Sequence, residues 1–552
     1  MHSSPNADML SDSTIPKIKD SVNLNIYFLR KMVIWVAYEQ KSESDWLPAR
    51  QGMTARPCEQ PRNRPRHSIL LGRISEITCR NCEVSPMNVE VQNDGQADGQ
   101  GADVIVIGGG PAGLMAAIEA SDLGAEVVLL ESENQLGGGM LPATGHVTLC
   151  ETKFAPEPRA LLLQDLAHAH PDADPALLQV YVDRSGRSFA RLEELGVRFA
   201  KSVQLAHMSA PWAHEMPLQN RGGGAQIVDA LVAAAQSRPI RILRRVRARR
   251  LVRDQQRVTH VEVETEGRCR RFEARRAVVL ATGGFSRNPD LIKHFGGPGT
   301  QRIMPVTAPG SRGDGLLMAM ALGAGTRFLT AGIAASGPVD RHTGVTSIIN
   351  YCGAILLNKA GRRFCDESEP YTDITLKGLS QPESLMIQIF DAKVKDNFSK
   401  TMWSKVYAGA REFTADTLED LVTRLRHECG LDPEKALGTI HAYNAAIGSG
   451  QDAFGRRCLV GSVGAPQPIT AAPFHAIIAV PGTTHFNGGL ALDAQMRVLD
   501  VFNEPVPGLF SAGEVTGGFH GTGYMSGSHI GMALVFGREA GINAAAHSVR
   551  QG

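Results

Sequence analysis

The stretch Asp103-Val-Ile-Val-Ile-Gly108-Gly-Gly110-Pro111-Ala-Gly113 decides the fold. Its β-branched residues predict a buried parallel strand, and the glycines that follow it are spaced G-x-G-x-x-G. A helical pattern runs from Leu114 to Leu123, and a second apolar strand from Val127 ends at the acid Glu131. Strand, helix, strand and acid together form a βαβ unit, with the acid at the offset of about 20 residues typical of a dinucleotide site.

Each part of this unit has a physical role in binding a dinucleotide. The glycines allow a tight turn and a close approach of the backbone to a pyrophosphate, whose charge the helix N-terminus attracts. The carboxylate of Glu131 can accept hydrogen bonds from the ribose hydroxyls of adenosine. Because a lone G-x-G-x-x-G is weak evidence, the prediction depends on all four parts occurring together.

The composition is that of an ordinary globular protein. A chain of 552 residues is too long for one core, and its net charge of +1 provides no global field for nucleic acid or lipid. The nine cysteines are scattered, as in a reducing compartment, so we expect a cytoplasmic location. The apolar stretch from Ile26 to Tyr38 is broken by charge and shorter than the ~20 residues of a membrane span, so we expect no integral membrane segment.

The predicted fold class is α/β, a Rossmann-like domain interrupted by an α+β capping domain. Residues 101–287 and 456–552 form the two parts of the dinucleotide-binding domain, and residues 288–455 form the cap. Residues 1–100 lack a sustained hydrophobic period and are expected to be poorly ordered. Residues 1–86 are either an upstream extension of the reading frame or a tail that recruits a partner. Cys79 and Cys82 have the spacing of half a zinc site, but no second pair follows, so no metal is expected.

The stretch from Arg241 to Arg257 is dense in arginine and at first suggests a nucleic-acid patch. Its apolar residues are spaced as in short strands, and it has no interleaved aromatic residues. We therefore interpret it as a solvated strand face and expect no nucleic-acid partner.

Three blocks occur together in this chain: the βαβ unit with Glu131, Ala281-Thr-Gly-Gly-Phe285, and Pro507-Gly-Leu-Phe-Ser-Ala-Gly513-Glu514 leading into a helix. Over about residues 100 to 547 they resemble the FAD-dependent family of fumarate reductase and succinate dehydrogenase flavoproteins and 3-ketosteroid dehydrogenases. The resemblance implies FAD as the cofactor, held in a domain that a smaller cap interrupts. The cofactor-binding residues that it implies are Gly108, Gly110, Pro111, Ala112, Gly113, Glu131, Gly138, Gly139, Met140, Ala281, Thr282, Gly283, Asp314, Gly513, Glu514, Ser528 and Ile530.

The electron acceptor is predicted to be external. No second G-x-G-x-x-G follows a strand, so a built-in nicotinamide domain is not expected. Electrons then pass to a quinone, a small dye-like acceptor or another protein.

Two departures separate this chain from the fumarate reductases, which hold a dicarboxylate with arginines. Their late loop has the form H-G-x-N-R-x-G-G, where this chain has His520-Gly-Thr-Gly-Tyr524-Met-Ser-Gly527. Their cap has T-T-R-D, where this chain has Tyr371-Thr-Asp373. An arginine binds a carboxylate through two charge-assisted hydrogen bonds, which a phenol cannot replace. The two substitutions argue against a small dicarboxylate substrate.

The same two positions resemble the 3-oxo-5α-steroid 4-dehydrogenases. Carried over, Tyr524, Ser526 and the Gly527 backbone bind the oxygen of a ring ketone, and Tyr371 is the base that removes the α-proton. A hydride then leaves the β-carbon for flavin N5, which forms a C=C bond α,β to the ketone. Because a tyrosine with an ordinary pKa of about 10 is a poor base, we expect a local positive potential beside Tyr371.

His485 precedes Phe-Asn-Gly-Gly489, which is similar to the block carrying a substrate histidine in fumarate reductases. It either donates to the substrate or supports the glycine turn, whereas His529 is expected to pack beneath the start of the late helix. The alternative function is an ene-reductase acting on an unsaturated carboxylate through His485 and Arg312 or Arg341. A flavin-fold protein that has lost catalysis is a further alternative, which the intact motifs oppose.

Overall fold

A computed structural model describes residues 101–547 except 206–207, 218, 220–221, 297–298, 331–332, 402, 457–458 and 460–464. The predictions made for residues 1–100, including the Cys79 and Cys82 pair, lie outside these residues. Within the described ranges, no helix combines the length and the hydropathy needed to span a bilayer.

The secondary structure alternates between strands and helices. The strands are β1 Gly101–Ile107, β2 Val127–Glu131, β3 Val147–Thr148, β4 Lys201–Val203, β5 Ala213–Glu215, β6 Ile240–Arg244, β7 Arg247–Asp254, β8 Arg257–Thr265, β9 Arg268–Leu280, β10 Met304–Pro305, β11 Thr326–Arg327, β12 Ile333–Asp340, β13 Ile355–Leu357, β14 Met386–Asp391, β15 Phe413–Ala415, β16 Phe474–Phe486, β17 Gly489–Leu490, β18 Arg497–Leu499 and β19 Pro505–Ser511. The helices are α1 Pro111–Asp122, α2 Arg159–Ala169, α3 Pro175–Glu194, α4 Gly223–Gln236, α5 Pro289–Phe295, α6 Asp314–Met320, α7 Tyr371–Leu379, α8 Ala392–Ser399, α9 Trp403–Val406, α10 Leu418–Cys429, α11 Pro433–Ser449 and α12 Ser528–Ala546.

The main sheet has the order β18-β19-β9-β1-β2-β6, with β7 and β8 extending it beside β9. Strand β1 pairs in parallel with both β2 and β9, and its residues Val104, Ile105 and Val106 are fully buried. Helices α1 and α12 pack against each other and against this sheet, which explains the run of β-branched residues without polar alternation. The predicted βαβ unit and α/β class are confirmed.

The second sheet has the order β10-β16-β14-β13, and β12 and β15 also pair with β16. Its longest strand, β16, begins at Phe474, beyond the predicted cap boundary at residue 455. Conversely, Leu316 and Ala319 of α6 belong to the hydrophobic core of the main sheet although they follow residue 288. The sheets therefore do not coincide with the predicted boundaries, because apolar runs signal burial without identifying the core that receives them.

Candidate active site

A cavity of about 1730 Å³ lies at the carboxyl ends of β1 and β9 and extends to residues of the second sheet. This is the edge of a parallel sheet at which ligands bind in open α/β folds. Pockets for a single small ligand usually measure about 300–1,000 Å³, so the cavity has room for a dinucleotide and a substrate together.

The geometry of the turn at Gly108 explains why the G-x-G-x-x-G motif requires glycine. Gly108 has a φ of 107°, and a Cβ at this position would overlap the carbonyl of Ala281. An added Cβ at Gly110 meets nothing within 4 Å, so that backbone faces open space in the cavity. The N–H of Gly137 donates to the carbonyl of Gly109 at 2.8 Å, which holds the following glycine-rich loop against the turn.

Glu131 is held in place by backbone donors. The N–H of Gly109 donates to Oε2 at 2.6 Å, and the N–H of Glu133 donates to Oε1 at 2.8 Å. The side chain lines the cavity at the end of β2, where its remaining lone pairs can accept hydroxyl groups.

Of the predicted cofactor residues, Gly113 and Ser528 are the two that do not line the cavity. A Cβ at Gly113 would overlap the carbonyl of Gly108, so this glycine permits close packing of the turn on α1. The hydroxyl of Ser528 is buried and donates to the carbonyl of Met525 at 2.7 Å. The predicted residues that do line the cavity are Gly108, Gly110, Pro111, Ala112, Glu131, Gly138, Gly139, Met140, Ala281, Thr282, Gly283, Asp314, Gly513, Glu514 and Ile530.

Two buried polar atoms at this end of the cavity have no hydrogen-bond partner among the described residues: Thr282 Oγ1 and Glu514 Oε1. Burial raises the pKa of Glu514 to about 8. Buried polar atoms are nearly always hydrogen-bonded in native proteins, so these two indicate a polar ligand.

Sequence reasoning missed two arginines that line the cavity. Arg247 forms an ion pair with Asp314 through Nε and Nη2, at 2.7 and 2.8 Å. It belongs to the stretch interpreted as a solvated strand face, so that interpretation was wrong for this residue. Arg287 donates from Nε and Nη2 to the carbonyl of Thr307, at 3.0 and 2.7 Å. No motif marked either residue.

The other end of the cavity brings together all the predicted catalytic residues. Tyr371 begins α7, whereas Tyr524 belongs to the loop before α12, and their ring centroids lie 6.4 Å apart. Tyr371 forms side-chain hydrogen bonds with Ser526 and Tyr524, and the N–H of Gly527 donates to the Tyr524 hydroxyl. The residues that line this end are Tyr371, His485, Tyr524, Ser526 and Gly527.

Burial is the largest influence on the pKa values of Tyr371 and Tyr524. It raises the pKa of Tyr371 well above 10, and the neighbouring Tyr524 and Tyr407 raise it further. It raises the pKa of Tyr524 to about 12. The positive potential expected beside Tyr371 is not among the main influences on its pKa, which come from burial, other phenols and a hydrogen bond to Ser526.

Four imidazoles lie together beside Tyr524. His485 and His529 stack with centroids 3.7 Å apart, and His520 lies 5.1 Å from His529. The N–H of Met525 donates to His170 Nε2 at 3.1 Å, and His520 Nδ1 lies 3.4 Å from the same nitrogen. That nitrogen accepts hydrogen bonds, which requires an unprotonated Nε2 on His170.

Burial keeps these histidines neutral. It lowers the pKa of His485 and His520 well below 6.5, that of His529 to about 4 and that of His170 to about 3. His529, expected to pack beneath the helix start, is the second residue of α12, stacks on His485 and also lines the cavity.

The arginines of the alternative function lie outside the cavity. Arg312 donates to the carbonyl of Pro309 at 3.0 Å and approaches Glu133 at 3.7 Å. Arg341 donates to the carbonyl of Glu428 at 3.0 Å. In the part of the chain that the structure describes, Arg247 and Arg287 are the cationic side chains that line the cavity.

Aromatic side chains of the second sheet and its helices complete this end of the cavity. Sequence reasoning missed them because they are distant in sequence and lie in no motif. They are Tyr351, Trp403 and Tyr407.

The FAD binding domain family matches residues 103–530 of this chain. The chain belongs to that family. It is 30% identical to the fumarate reductase (cytochrome) of Shewanella frigidimarina, over 81% of this chain and 77% of that protein. The open conformation of a flavocytochrome c3 fumarate reductase superposes with a TM-score of 0.73 at 27% identity, covering 82% of this chain and 79% of that chain.

A second solved structure represents the other branch of the resemblance. The 3-ketosteroid-Δ4-(5α)-dehydrogenase of Rhodococcus jostii RHA1, in complex with 4-androstene-3,17-dione, superposes with a TM-score of 0.61. It is 27% identical, and the match covers 81% of this chain and 97% of that one. The resemblance is thus confirmed. The protein is an FAD-dependent oxidoreductase of the fumarate reductase and ketosteroid dehydrogenase family.

The cofactor end of the cavity fits FAD. The open space at Gly110 and the helix N-terminus beside it suit a pyrophosphate, and Glu131 retains lone pairs for ribose hydroxyls. The unpartnered oxygens of Thr282 and Glu514 suit the hydroxyls and polar ring atoms of the rest of the cofactor. When bound, FAD supplies the acceptor for two electrons.

Proposed function

We propose that this protein is a dehydrogenase that introduces a C=C bond α,β to the ketone of a ring compound, of the 3-oxosteroid type. The supporting observation is the chemistry of the substrate end of the cavity. Its phenols have raised pKa values and its imidazoles lowered ones, so both kinds are neutral at pH 7. Glu369, a carboxylate that also lines the cavity, forms an ion pair with Lys377.

A neutral, partly aromatic site favours a neutral substrate. Desolvating a dicarboxylate costs several kcal/mol per charge unless a cation or a dense set of donors replaces the lost water. The two arginines that line the cavity are tied to Asp314 and Thr307. A carbonyl oxygen, in contrast, needs only the hydroxyl donors that Tyr524 and Ser526 provide, while the Gly527 N–H donates to the Tyr524 hydroxyl.

These residues divide the chemistry between them. Tyr524 and Ser526 hold the carbonyl oxygen and stabilise the negative charge that develops there as the α-proton leaves. Tyr371 accepts that proton. Because burial raises its pKa, it acts as a base only after its own proton has passed to solvent through the hydroxyl network that it forms with Tyr524 and Ser526. FAD held by the glycine turn and Glu131 would supply the acceptor for the β-hydrogen and its electron pair, and an external quinone, small-molecule or protein acceptor would take the electrons from it.

The alternative, reduction of an unsaturated carboxylate, is favoured by His485, which lines the cavity as a substrate histidine would. It is disfavoured by Arg312 and Arg341, whose contacts lie elsewhere.

Steady-state turnover tests the proposal. With an artificial electron acceptor, we expect 3-oxo-5α-steroids to support turnover and succinate to give none. Turnover of succinate without turnover of any ring ketone would reject the proposal in favour of the carboxylate alternative.

A further inference from the structure

Ser336 is an extra residue inserted into a strand beside the cavity. Along β12, Ala335 pairs with Thr483 and Gly337 pairs with Gly482, so Ser336 has no partner on β16. This is a β-bulge, a device that redirects a side chain and recurs next to active sites. Ser336 lines the cavity, and no sequence motif marked it.

The hydroxyl of Ser336 is buried without a partner. The residue is 9% exposed, and Oγ has no hydrogen-bond partner among the described residues. A buried hydroxyl without a hydrogen bond costs about 1–3 kcal/mol, so an orphan that faces a cavity indicates a ligand atom.

Two glycines make room for this arrangement. A Cβ at Gly482 would overlap Ser336 Oγ, so the opposite strand leaves that space to the hydroxyl. Gly337 has a φ of 80°, and its Cβ would lie 3.4 Å from Cβ of Tyr371. Gly337 therefore lies next to the backbone end of Tyr371, at the opposite end of that ring from the hydroxyl that contacts Ser526 and Tyr524, and Ser336 is the residue before it in the bulge.

We propose that the Ser336 hydroxyl binds a second neutral oxygen of the substrate, a carbonyl or hydroxyl remote from the reacting ketone. This inference rests on the proposed function and deepens it, because it requires a substrate with two oxygens at separated positions. The bulge, the unpartnered Oγ and the space left by Gly482 support it independently of the reaction's direction.

The test uses the holoenzyme and two matched steroids, 5α-androstane-3,17-dione and 5α-androstan-3-one, which differ in the remote oxygen. The Kd of each comes from the concentration dependence of the flavin-bleaching rate under anaerobic conditions. We expect Ser336→Ala to weaken binding of the dione by roughly three- to tenfold, the effect of one neutral hydrogen bond, and to leave the mono-ketone unchanged.

Thr375→Val is the matched control, because Thr375 Oγ1 is also buried with no hydrogen-bond partner in the described ranges but does not line the cavity. It should change neither Kd. FAD content and thermal midpoint verify that each variant is folded. Equal effects of Ser336→Ala on the two ketones, or no effect on either, would overturn the assignment of Ser336. Absence of bleaching by both ketones in the unmodified enzyme would instead reject the proposed function.

Discussion

The two ends of the cavity are built on different physical principles. The cofactor end is made mainly of backbone: a glycine turn, a helix N-terminus and Glu131, whose carboxylate two backbone N–H groups hold. The substrate end is made of side chains from β16, α7 and the loop before α12, whose phenols and imidazoles burial keeps neutral. One end therefore suits a charged dinucleotide, and the other suits an uncharged molecule.

The largest effect should come from the donors at the substrate end. Tyr524→Phe removes a hydroxyl from the carbonyl oxygen, and we expect the rate of flavin reduction by a 3-oxosteroid to fall about 10²- to 10³-fold with FAD still bound. Stopped-flow absorbance measures the rate. Tyr443→Phe is the control, because the Tyr443 hydroxyl donates to the carbonyl of Gln467 and the residue belongs to the hydrophobic core of the second sheet. A rate unchanged by Tyr524→Phe would refute the role of this residue.

The raised pKa of Tyr371 predicts a pH profile. Its phenolate fraction increases as pH rises towards a pKa well above 10, so the rate of ketone oxidation should rise about tenfold per pH unit between about pH 7 and 9. Tyr371→Phe should abolish both the slope and most of the rate. A plateau reached near neutral pH would show that another group is the base.

The different construction of the two ends explains what sequence could predict. The turn at Gly108, the helix after it and Glu131 lie within one short segment whose spacing reflects its geometry, so the cofactor site was predictable. Tyr371 and Tyr524 were found through family resemblance. Trp403 and Tyr407 line the substrate end of the cavity because α9 and the segment after it pack there. Ser336 lines the cavity because a bulge redirects it. Neither arrangement leaves a periodic signal.

A smaller effect is expected from Gly110→Ala, which should weaken FAD binding without changing the fold. Gly110→Ala should leave the fold intact, because φ at this residue is −75° and an added Cβ meets nothing within 4 Å. The methyl group enters the space assigned to the pyrophosphate, so FAD binding should weaken by roughly 1–3 kcal/mol. Titration of the apoprotein with FAD measures this loss. Gly438→Ala, which also adds a methyl group in open space but outside the cavity, should leave FAD affinity unchanged.

The last prediction concerns the stability of the apoprotein in acid. The pKa of His529 is about 4 in the folded protein and ordinarily 6.5, so below pH 6.5 the unfolded chain binds a proton that the folded protein does not. Stability present above pH 6.5 should therefore fall as pH approaches 4, by up to about 1.4 kcal/mol per pH unit for this residue. Urea midpoints at several pH values measure the slope. His529→Gln should reduce the slope by the share of this one residue, because His170, His485 and His520 also have lowered pKa values. An unchanged slope would mean that His529 is not kept neutral.

The central claim is that neutral hydrogen-bond donors, and not guanidinium groups, bind the substrate. Anaerobic mixing of the oxidised enzyme with a 3-oxo-5α-steroid or with succinate tests it most directly. We expect the steroid to bleach the visible flavin band in a single turnover and succinate to leave it unchanged. Bleaching by succinate, with the steroid inert, would contradict it.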